Sequence, residues 1–319
     1  MKLVVITGCL GLIGSYVTHR CLEKGWKVYG VDKCTYAANE DLVEQFMQSD
    51  NFHFIKEDIS DLKYLPDCDY VINLAAESHV GNSIVDSADF IQSNIVGVKN
   101  LLDLIRNKQN NVSDRPVFFH FSTDEVYGDI EEGTHYETDI LKPSNPYSAS
   151  KAAADMLILA WARTYGIQYI ILRPTNNYGI GQYPEKLIPL AVKNVIRNKK
   201  IKLHNNGEPI RNWLHSDDTA AAVVTLVESG VFNEIYNVAG GFEQKNIDTV
   251  IKVLECYFEE QGIEQDWNKY LDLSYVREGQ DIRYALNDDK LRSLGWAPQR
   301  KFDEEIKHIV EYYKQNFKW

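Results

Sequence analysis

The sequence predicts an α/β protein in which a doubly wound parallel sheet is joined to a smaller α/β substrate-binding lobe. Two observations predict this fold class. Over the first half of the chain, short apolar segments alternate with helical segments, which is typical of parallel βαβ units. A glycine-rich turn, TGCLGLIG, also joins the first apolar segment to the first helical one, as a tight strand-to-helix reversal requires.

The elements of the larger part follow in order from the N-terminus. Short apolar runs beside turn residues predict strands at KLVVITG, KVYGVD, NFHFIKED, YVINLAA, VFFHFS and YIILRP. Apolar residues at helical spacing predict helices over residues 12–24, about 90–107 and about 146–165. Strands separated by helices in this way form a parallel sheet that is covered on both faces.

Beyond residue 175 the pattern changes, and we expect the second lobe to begin there. Residues 184–200 look helical, and IKLHNNGEPIRNWLH is strand-like with a turn at its centre. A helix follows at DDTAAAVVTLVESG, whose acidic first turn suits the helix dipole, then a strand at IYNVAGG and two or three helices in the tail. The predicted nucleotide-binding domain is 1–175 with 213–240 returning to it, and the predicted lobe is 176–212 plus 241–319.

The overall composition is that of an ordinary globular protein, with 319 residues, 44% hydrophobic and 25% charged. A net charge of -12 argues against a general nucleic-acid or anionic-membrane surface, because phosphates attract a basic excess. No segment approaches the ~18 apolar residues of a membrane span, and MKLVVITGC is too short for a signal peptide. The five scattered cysteines show no zinc spacing, so we expect reduced thiols, no bound metal and a cytoplasmic location.

The turn after the first strand predicts a dinucleotide site. Gly8, Gly11 and Gly14 follow the strand and open the helix, so the helix N-terminal amides can face a pyrophosphate. Asp32 closes the second strand, where its carboxylate can accept from both hydroxyls of an adenosine ribose and repel a 2′-phosphate. The sequence therefore predicts a Rossmann domain that binds NAD, not NADP. A glycine-rich turn that binds nothing would not need this acid.

A second motif, PYSASKAAAD, places Tyr147 and Lys151 four residues apart, on one face of a predicted helix. The nearby ammonium is expected to favour the phenolate of Tyr147, which is otherwise a poor base at neutral pH. Taken alone, such a pair is more often an exposed aromatic–cation contact. Here the pair follows a predicted dinucleotide-binding domain in the chain. The glycine turn and the Tyr147–Lys151 motif together resemble those of the extended short-chain dehydrogenase/reductase family.

The segment STDEVYG narrows that resemblance. It places Thr123, Asp124 and Glu125 at the end of an apolar strand, where turn chemistry alone could also explain the acids. The triplet is similar to that of NAD-dependent nucleotide-sugar 4,6-dehydratases, and further similar segments extend over nearly the whole chain. The resemblance implies a lyase (hydro-lyase) of deoxysugar biosynthesis that produces a 4-keto-6-deoxy sugar. Hydride would leave C4 of a nucleoside-diphosphate glucose for NAD and return at C6 after water is lost.

The resemblance gives each catalytic residue its own role. Tyr147 would take the proton of the 4-hydroxyl, Thr123 would orient that hydroxyl, and Lys151 would support the phenolate and the nicotinamide ribose. Glu125 would remove the C5 proton, while a protonated Asp124 would donate to the departing C6 hydroxyl. This division requires environments that separate the pKa values of the two adjacent acids.

The remaining binding residues are carried over position by position from the same resemblance. NAD would be lined by Gly8, Gly11, Leu12, Ile13, Gly14, Asp32, Lys33, Cys34, Thr35, Asp58, Ile59, Leu74, Ala75, Ala76, Ser78, Ser93, Tyr147, Lys151 and Asn177. The sugar would meet Ser78, Thr123 and Asn176. The nucleotide would be held by Lys186, Leu187, Ile188, Pro189, Lys202, Leu203, His204, Arg211, Asn246, Arg277, Gln280 and Tyr284. Arg211 and Arg277 suit diphosphate oxygens, although either could also be a surface ion pair.

Departures from the family pattern fall mainly where the nucleotide is recognised, at Gly81, Asn82, Lys202, His204, Gln280 and Ile282. They leave the catalytic residues unchanged. The sequence therefore predicts the reaction more firmly than it predicts which nucleotide the substrate carries. dTDP-glucose is the favoured substrate. UDP-glucose is the alternative, because His204 and Asn82 also resemble residues of UDP-glucose 4,6-dehydratases.

Two other functions stay open at this point. A nucleotide-sugar 4-epimerase would oxidise C4 only transiently and would not need Asp124 and Glu125. A non-catalytic NAD-binding regulator would be expected to lose part of the catalytic set. The resemblance further implies a homodimer that packs through a four-helix bundle, and the segments 94–107 and 146–165 carry suitable apolar stripes, although such stripes are more often ordinary core.

Overall fold

The structure is a computed structural model that describes residues 1–108, 114–259, 266–276 and 281–316 of the chain. Its strands are β1 (Leu3–Thr7), β2 (Lys27–Asp32), β3 (Phe52–Lys56), β4 (Tyr70–Asn73), β5 (Val117–Phe121), β6 (Tyr169–Pro174), β7 (Asn176–Tyr178), β8 (Ile201–His204), β9 (Ile210–His215), β10 (Glu234–Val238), β11 (Phe242–Lys245) and β12 (Leu271–Tyr275). Its α-helices are α1 (Leu12–Glu23), α2 (Asp41–Phe46), α3 (Val80–Val85), α4 (Ala88–Ile91), α5 (Val98–Lys108), α6 (Pro146–Tyr165), α7 (Leu187–Ile196), α8 (Ser216–Ser229), α9 (Asn246–Phe258), α10 (Asp289–Arg292) and α11 (Phe302–Gln315).

Seven of the described strands form one parallel sheet in the order β10-β6-β5-β4-β1-β2-β3. This order reverses between β1 and β4, as it does in doubly wound dinucleotide-binding sheets. The predicted fold class is therefore confirmed. Two small sheets lie outside it, one of β11, β9 and β7 and one of β12 and β8. The strand-like segments on either side of the predicted turn at 205–207 thus belong to different sheets.

Side chains alternate between the two faces of the parallel sheet, and each face has its own core. In β1, Val4 and Ile6 pack toward α1 and α8, while Val5 packs toward α5 and α6. Both cores consist of fully buried aliphatic and aromatic residues, because helices cover both faces of the sheet. Because both faces of the sheet are packed in this way, the positions of the carboxyl ends of the strands are well defined.

A third core holds the smaller lobe together and is built from β8, α7, α9 and α11. Leu291 and Trp296 come from the segment predicted for this lobe, but they pack into the core of the large sheet beside α8. The chain thus returns to the large sheet after the lobe. The exact division into two domains stays a prediction.

Two predicted helices differ from the structure. The segment 184–200 forms only α7, because Lys186 is still extended and Asn198 adopts a left-handed φ of 53° that ends the helix. The segment near 90–107 begins as α4 and ends as α5, with a π-helical turn at Gln92–Gly97 between them. No helix in the described ranges is long and apolar enough to cross a membrane.

Candidate active site

A cavity of about 330 Å³ opens at the carboxyl ends of β1, β4, β5 and β6. Parallel sheets of this topology bind ligands at that edge, where the strand order reverses. The glycine turn after β1 lines one end of the cavity, and the STDE segment after β5 lines the other. One cleft therefore contains both motifs that the sequence singles out.

The glycine turn depends on close contacts within the protein's own backbone. Gly8 adopts a φ of 67°, which favours glycine, and a Cβ at Gly14 would lie only 2.0 Å from the Gly8 carbonyl oxygen. No side chain caps the N-terminus of α1, so the amides of its first turn are available to a phosphate. The residues of this turn fit the diphosphate of a dinucleotide.

The predicted ribose-binding carboxylate is held in place by the backbone. Asp32 accepts from the backbone N–H of Leu10 at 3.0 Å and from that of Cys34 at 2.8 Å, one bond on each oxygen. Burial raises the pKa of Asp32, and these two bonds oppose that rise. The carboxylate therefore has a fixed orientation at the end of β2, facing the cavity that it lines.

A lysine and two acids extend this end of the cavity. The Lys33 ammonium donates to the Ser93 hydroxyl at 3.0 Å and lies 3.5 Å from Asp58 and 3.4 Å from Glu77. Ser93 reaches this position because the π-helical turn carries it inward. Asn94 in the same turn is fully buried and donates to the Glu77 carbonyl and the Ser150 hydroxyl. Glu77 also lines the cavity, between the predicted NAD residues Ala76 and Ser78.

The acid pair sits in a short 3₁₀ turn, Asp124–Tyr127, directly after β5. The Thr123 hydroxyl accepts from the Glu125 backbone N–H at 3.3 Å and donates to Oδ1 of Asp124 at 3.1 Å. Thr123 therefore caps the turn, as strand-end chemistry predicts. The same turn buries Asp124 in the cavity wall, where a merely solvated strand end would not place it.

The two acids experience different surroundings. Burial raises the pKa of Asp124 to about 7, and the neighbouring Glu125 contributes to the rise. Burial also raises the pKa of Glu125, but Arg211, the Asn145 side chain and Lys186 oppose that rise. These surroundings favour the protonated form more at Asp124 than at Glu125, which matches the expected division into one acid and one base.

Helix α6 brings Tyr147 and Lys151 to the same cavity, and both side chains are buried. Burial lowers the pKa of Lys151 to about 8, so the amine remains largely charged at neutral pH. Burial raises the pKa of Tyr147 above its usual range, with Glu125 adding to the rise, and a hydrogen bond with the Thr123 side chain opposes it. Desolvation and the two acids therefore dominate the pKa of Tyr147 in the protein alone, and the expected support of the phenolate by Lys151 stays a prediction.

The cavity brings together most of the predicted site residues. Those that line it are Gly8, Gly11, Leu12, Ile13, Gly14, Asp32, Lys33, Thr35, Asp58, Ile59, Leu74, Ala75, Ala76, Ser78, Ser93, Thr123, Asp124, Glu125, Tyr147, Lys151, Asn176, Asn177 and Lys186. Those that do not are Cys34, Leu187, Ile188, Pro189, Lys202, Leu203, His204, Arg211, Asn246 and Tyr284. Arg277 and Gln280 lie outside the described residues.

Six of the predicted nucleotide residues outside the cavity fall into three groups. Ile188 and Leu203 are buried in the core of the lobe, where their side chains cannot face a ligand. Arg211 lies close enough to Glu125 to lower its pKa, and its guanidinium stacks 4.6 Å from the Tyr284 ring centroid. On the small β12–β8 sheet, Lys202 lies 4.5 Å from the Tyr275 ring centroid and His204 contacts the same ring.

Several contacts at the site escaped the sequence reasoning because they join distant segments. Glu185 accepts from the Tyr36 hydroxyl at 3.1 Å across the mouth, and Lys186 donates to the Ser78 carbonyl at 3.0 Å. Asn145 donates to Glu125 at 3.3 Å from the first residue before α6. Nothing in the segment QYPEK, which contains Glu185 and Lys186, predicts the first two contacts. The segment NPY, which contains Asn145, predicts only the start of a helix.

The sheet, the glycine turn and the buried Tyr147 and Lys151 define a class, the dinucleotide-dependent enzymes of the short-chain dehydrogenase/reductase type. Within that class, the family described as GDP-mannose 4,6 dehydratase matches residues 5–309, and the chain belongs to this family.

Similar proteins carry more specific names. The chain is 39% identical to a dTDP-glucose 4,6-dehydratase of Escherichia coli, over 99% of this chain and 94% of that protein. It is 37% identical to that of Haemophilus influenzae, over 99% of each. Among solved structures, the dTDP-glucose 4,6-dehydratase DesIV of Streptomyces venezuelae, with NAD and dTDP bound, superposes with a TM-score of 0.91 at 34% identity, covering 100% of this chain and 98% of that one.

Proposed function

We infer that this protein is an NAD-dependent hydro-lyase that converts a nucleoside-diphosphate glucose, dTDP-glucose foremost, into its 4-keto-6-deoxy derivative. The observation that carries this inference is the acid pair beside Tyr147 and Lys151, in which Asp124 is buried with a pKa of about 7 and Glu125 is partly buried. The names of the relatives that cover nearly the whole chain support the substrate.

The cavity fits NAD on features of its own. The glycine turn lines the cavity at the uncapped N-terminus of α1, where a diphosphate can meet free amides, and Asp32 presents an oriented carboxylate at the end of β2. The related DesIV structure contains NAD. The chemistry that NAD supplies when bound is the acceptance of hydride from C4 of the sugar and its return at C6.

The chain's own residues move three protons. The Tyr147 phenolic oxygen takes the proton of the 4-hydroxyl, and the Lys151 ammonium one helical turn away stabilises the phenolate. The Glu125 carboxylate takes the proton from C5, which the 4-keto group has made acidic. Asp124 gives its proton to the C6 hydroxyl, which leaves as water. Glu125 then returns its proton to C5, which completes the 4-keto-6-deoxy sugar.

Proton balance requires one more step in each cycle. After water has left, Tyr147 carries the proton of the 4-hydroxyl and Asp124 has lost its own. The Thr123 hydroxyl interacts with both groups, donating to Asp124 at 3.1 Å and hydrogen-bonding with Tyr147. Thr123 therefore offers a route by which the proton returns from the phenol to the carboxylate.

Homodimerisation through α5 and α6 forms part of the proposal. Ile91, Val96 and Met156 belong to or adjoin this helix pair and are 49%, 39% and 50% exposed, which is high for large apolar side chains. Burial of the three side chains in a dimer would remove them from water. Sedimentation of Val96→Asp/Met156→Asp should then show a monomer where the unaltered protein shows a dimer.

The function is tested by incubating the purified protein with NAD and either dTDP-glucose or UDP-glucose and following the sugar by NMR. A 4-keto-6-deoxy product from dTDP-glucose is expected. The same product from UDP-glucose alone would move the assignment to the uridine nucleotide, which His204 and Asn82 suggest. A galactose product would indicate an epimerase, and no product from either sugar would overturn the proposal.

A further inference from the structure

The carboxamide of Asn145 connects the start of α6 to the acid pair. Its Oδ1 accepts from the Ser148 backbone N–H at 2.9 Å, which makes Asn145 the N-cap of the helix. Its Nδ2 donates to Oε2 of Glu125 at 3.3 Å. Asn145 is only 7% exposed, so solvent competes little for these two bonds. One buried side chain thus contacts both the helix that carries Tyr147 and the carboxylate of the base.

The direction of this contact is fixed by the cap. The Ser148 backbone N–H can only donate, so it requires the amide oxygen of Asn145. The amide NH₂ must then face the other way, toward Glu125 and the Ser144 hydroxyl, which lies at 3.4 Å. Rotation of the amide by 180° would set its oxygen against the carboxylate and its NH₂ against an N–H. The capping box therefore orients a donor toward Glu125.

The acids differ in the donors that reach them. Oδ2 of Asp124 has no hydrogen-bond partner within the described part of the chain, while Oδ1 accepts from the Thr123 hydroxyl. Oε2 of Glu125 accepts from Asn145. A donor to a carboxylate favours its charged form. The charged and titratable groups that act on Glu125 or respond to it are Asp124, Tyr147, Lys186, Arg211, Asp281 and Tyr284.

We propose that Asn145 is a positioning residue that holds Glu125 as the ionised base for C5-proton removal and ties its position to the helix carrying Tyr147 and Lys151. This inference rests on the proposed function. A second contact continues beyond Asn145, because the Ser144 hydroxyl donates to Asp281 of the C-terminal part at 2.5 Å. Asn145 thus lies in a continuous hydrogen-bonded path from the base to that part of the protein.

Two substitutions separate the donor from the cap. Ser and Asp are both preferred N-cap residues, so Asn145→Ser and Asn145→Asp preserve the helix start. Asn145→Ser removes the donor to Glu125, and Asn145→Asp replaces it with a second carboxylate. The matched control is Ser148→Ala, which removes the hydroxyl that accepts from the Asn145 backbone N–H at 3.2 Å and leaves the contact with Glu125.

The readouts are the pH profile of kcat/KM and the exchange of the C5 proton with deuterated solvent. Asn145→Ser should move the acidic limb of the profile about one pH unit upward and slow C5 exchange at pH 6 about tenfold. Asn145→Asp should slow that exchange at least a hundredfold, and Ser148→Ala should leave the acidic limb in place. Thermal unfolding verifies that each variant is folded.

An unmoved acidic limb and unchanged C5 exchange in both Asn145 variants would overturn this inference. A shift of the acidic limb by the same amount in Ser148→Ala would also overturn it, because the shift would then result from a change at the start of α6 and not from loss of the donor to Glu125. Failure of the proposed function is a separate result. It would appear in the unaltered protein as the absence of a 4-keto-6-deoxy product from both dTDP-glucose and UDP-glucose.

Discussion

The Thr123 hydroxyl donates to Oδ1 of Asp124 at 3.1 Å, inside a cavity wall where Asp124 is 3% exposed. This bond joins the two residues at the point where the chain leaves β5 and begins a 3₁₀ turn. The neighbouring Glu125 is the second residue of the same turn, and its side chain accepts a hydrogen bond from Asn145, the N-cap of α6. Adjacent acids are thereby given different partners, which is the structural basis of the different tasks assigned to them.

Removing either acid should separate cofactor binding from dehydration. Asp124→Asn retains the shape of the side chain but has no proton to give to the C6 hydroxyl, and Glu125→Gln cannot take the C5 proton. Each variant should lose about 10²–10⁴-fold in the rate of product formation. Titration calorimetry should show NAD binding near that of the unaltered protein. Full activity in both variants would contradict the roles proposed for the two acids.

The pH dependence of kcat/KM should be bell-shaped. Asp124 must be protonated, so activity should fall as pH rises through its pKa of about 7. Glu125 must be ionised, so activity should fall as pH drops through a pKa that burial has raised above the usual value of a glutamate. Steady-state rates between pH 4.5 and 9 test this shape. A profile that stays flat to pH 9 would show that no group with a pKa near 7 acts as an acid.

Asp32 should decide between the two nicotinamide dinucleotides. Asp32→Ser removes the charge that would repel a 2′-phosphate, and it also weakens the ribose contacts. We expect NAD affinity to fall about tenfold and the preference for NAD over NADP to shrink by a similar factor or more. Titrations of both dinucleotides measure the ratio. If the variant keeps the original preference, another residue selects the cofactor.

A buried ion pair behind the site should dominate the stability of this region. Arg173 and Asp155 lie 3.0 Å apart with 2% and 0% of their side chains exposed, and Asp155 is one turn from Lys151 on α6. Arg173→Met should destabilise the protein by about 3–5 kcal/mol, because it leaves a buried carboxylate without its cation. Calorimetry should show a Tm lower by several degrees.

The matched control for that change is Lys24→Met. Lys24 and Glu228 lie 2.9 Å apart, but about half of each side chain is exposed. An exposed ion pair of this kind contributes about 0–1 kcal/mol to the free energy of unfolding, so the Tm of Lys24→Met should differ little from that of the unaltered protein. An equal decrease in Tm in the two variants would show that breaking the buried Arg173–Asp155 pair destabilises the protein no more than breaking an exposed pair.

Sequence patterns predicted the parallel sheet and the turn at Gly8 because these depend on neighbouring residues and on strand order. They also predicted the acid pair, because its two members are adjacent. They missed the donor to Glu125, since Asn145 lies 20 residues away and becomes its neighbour only when α6 packs against the turn. They did not reveal that burial raises the pKa of Tyr147, because spacing on a helix does not show how deeply a phenol is buried.

The central claim is that hydride leaves C4 and returns to C6 of the same sugar while the acid pair expels water. It is tested most directly with dTDP-glucose that carries deuterium at C4. The account predicts a 4-keto-6-deoxy product that bears this deuterium at C6, as NMR and mass spectrometry would show. Deuterium retained at C4 of a galactose product, or lost to solvent without appearing at C6, would contradict it.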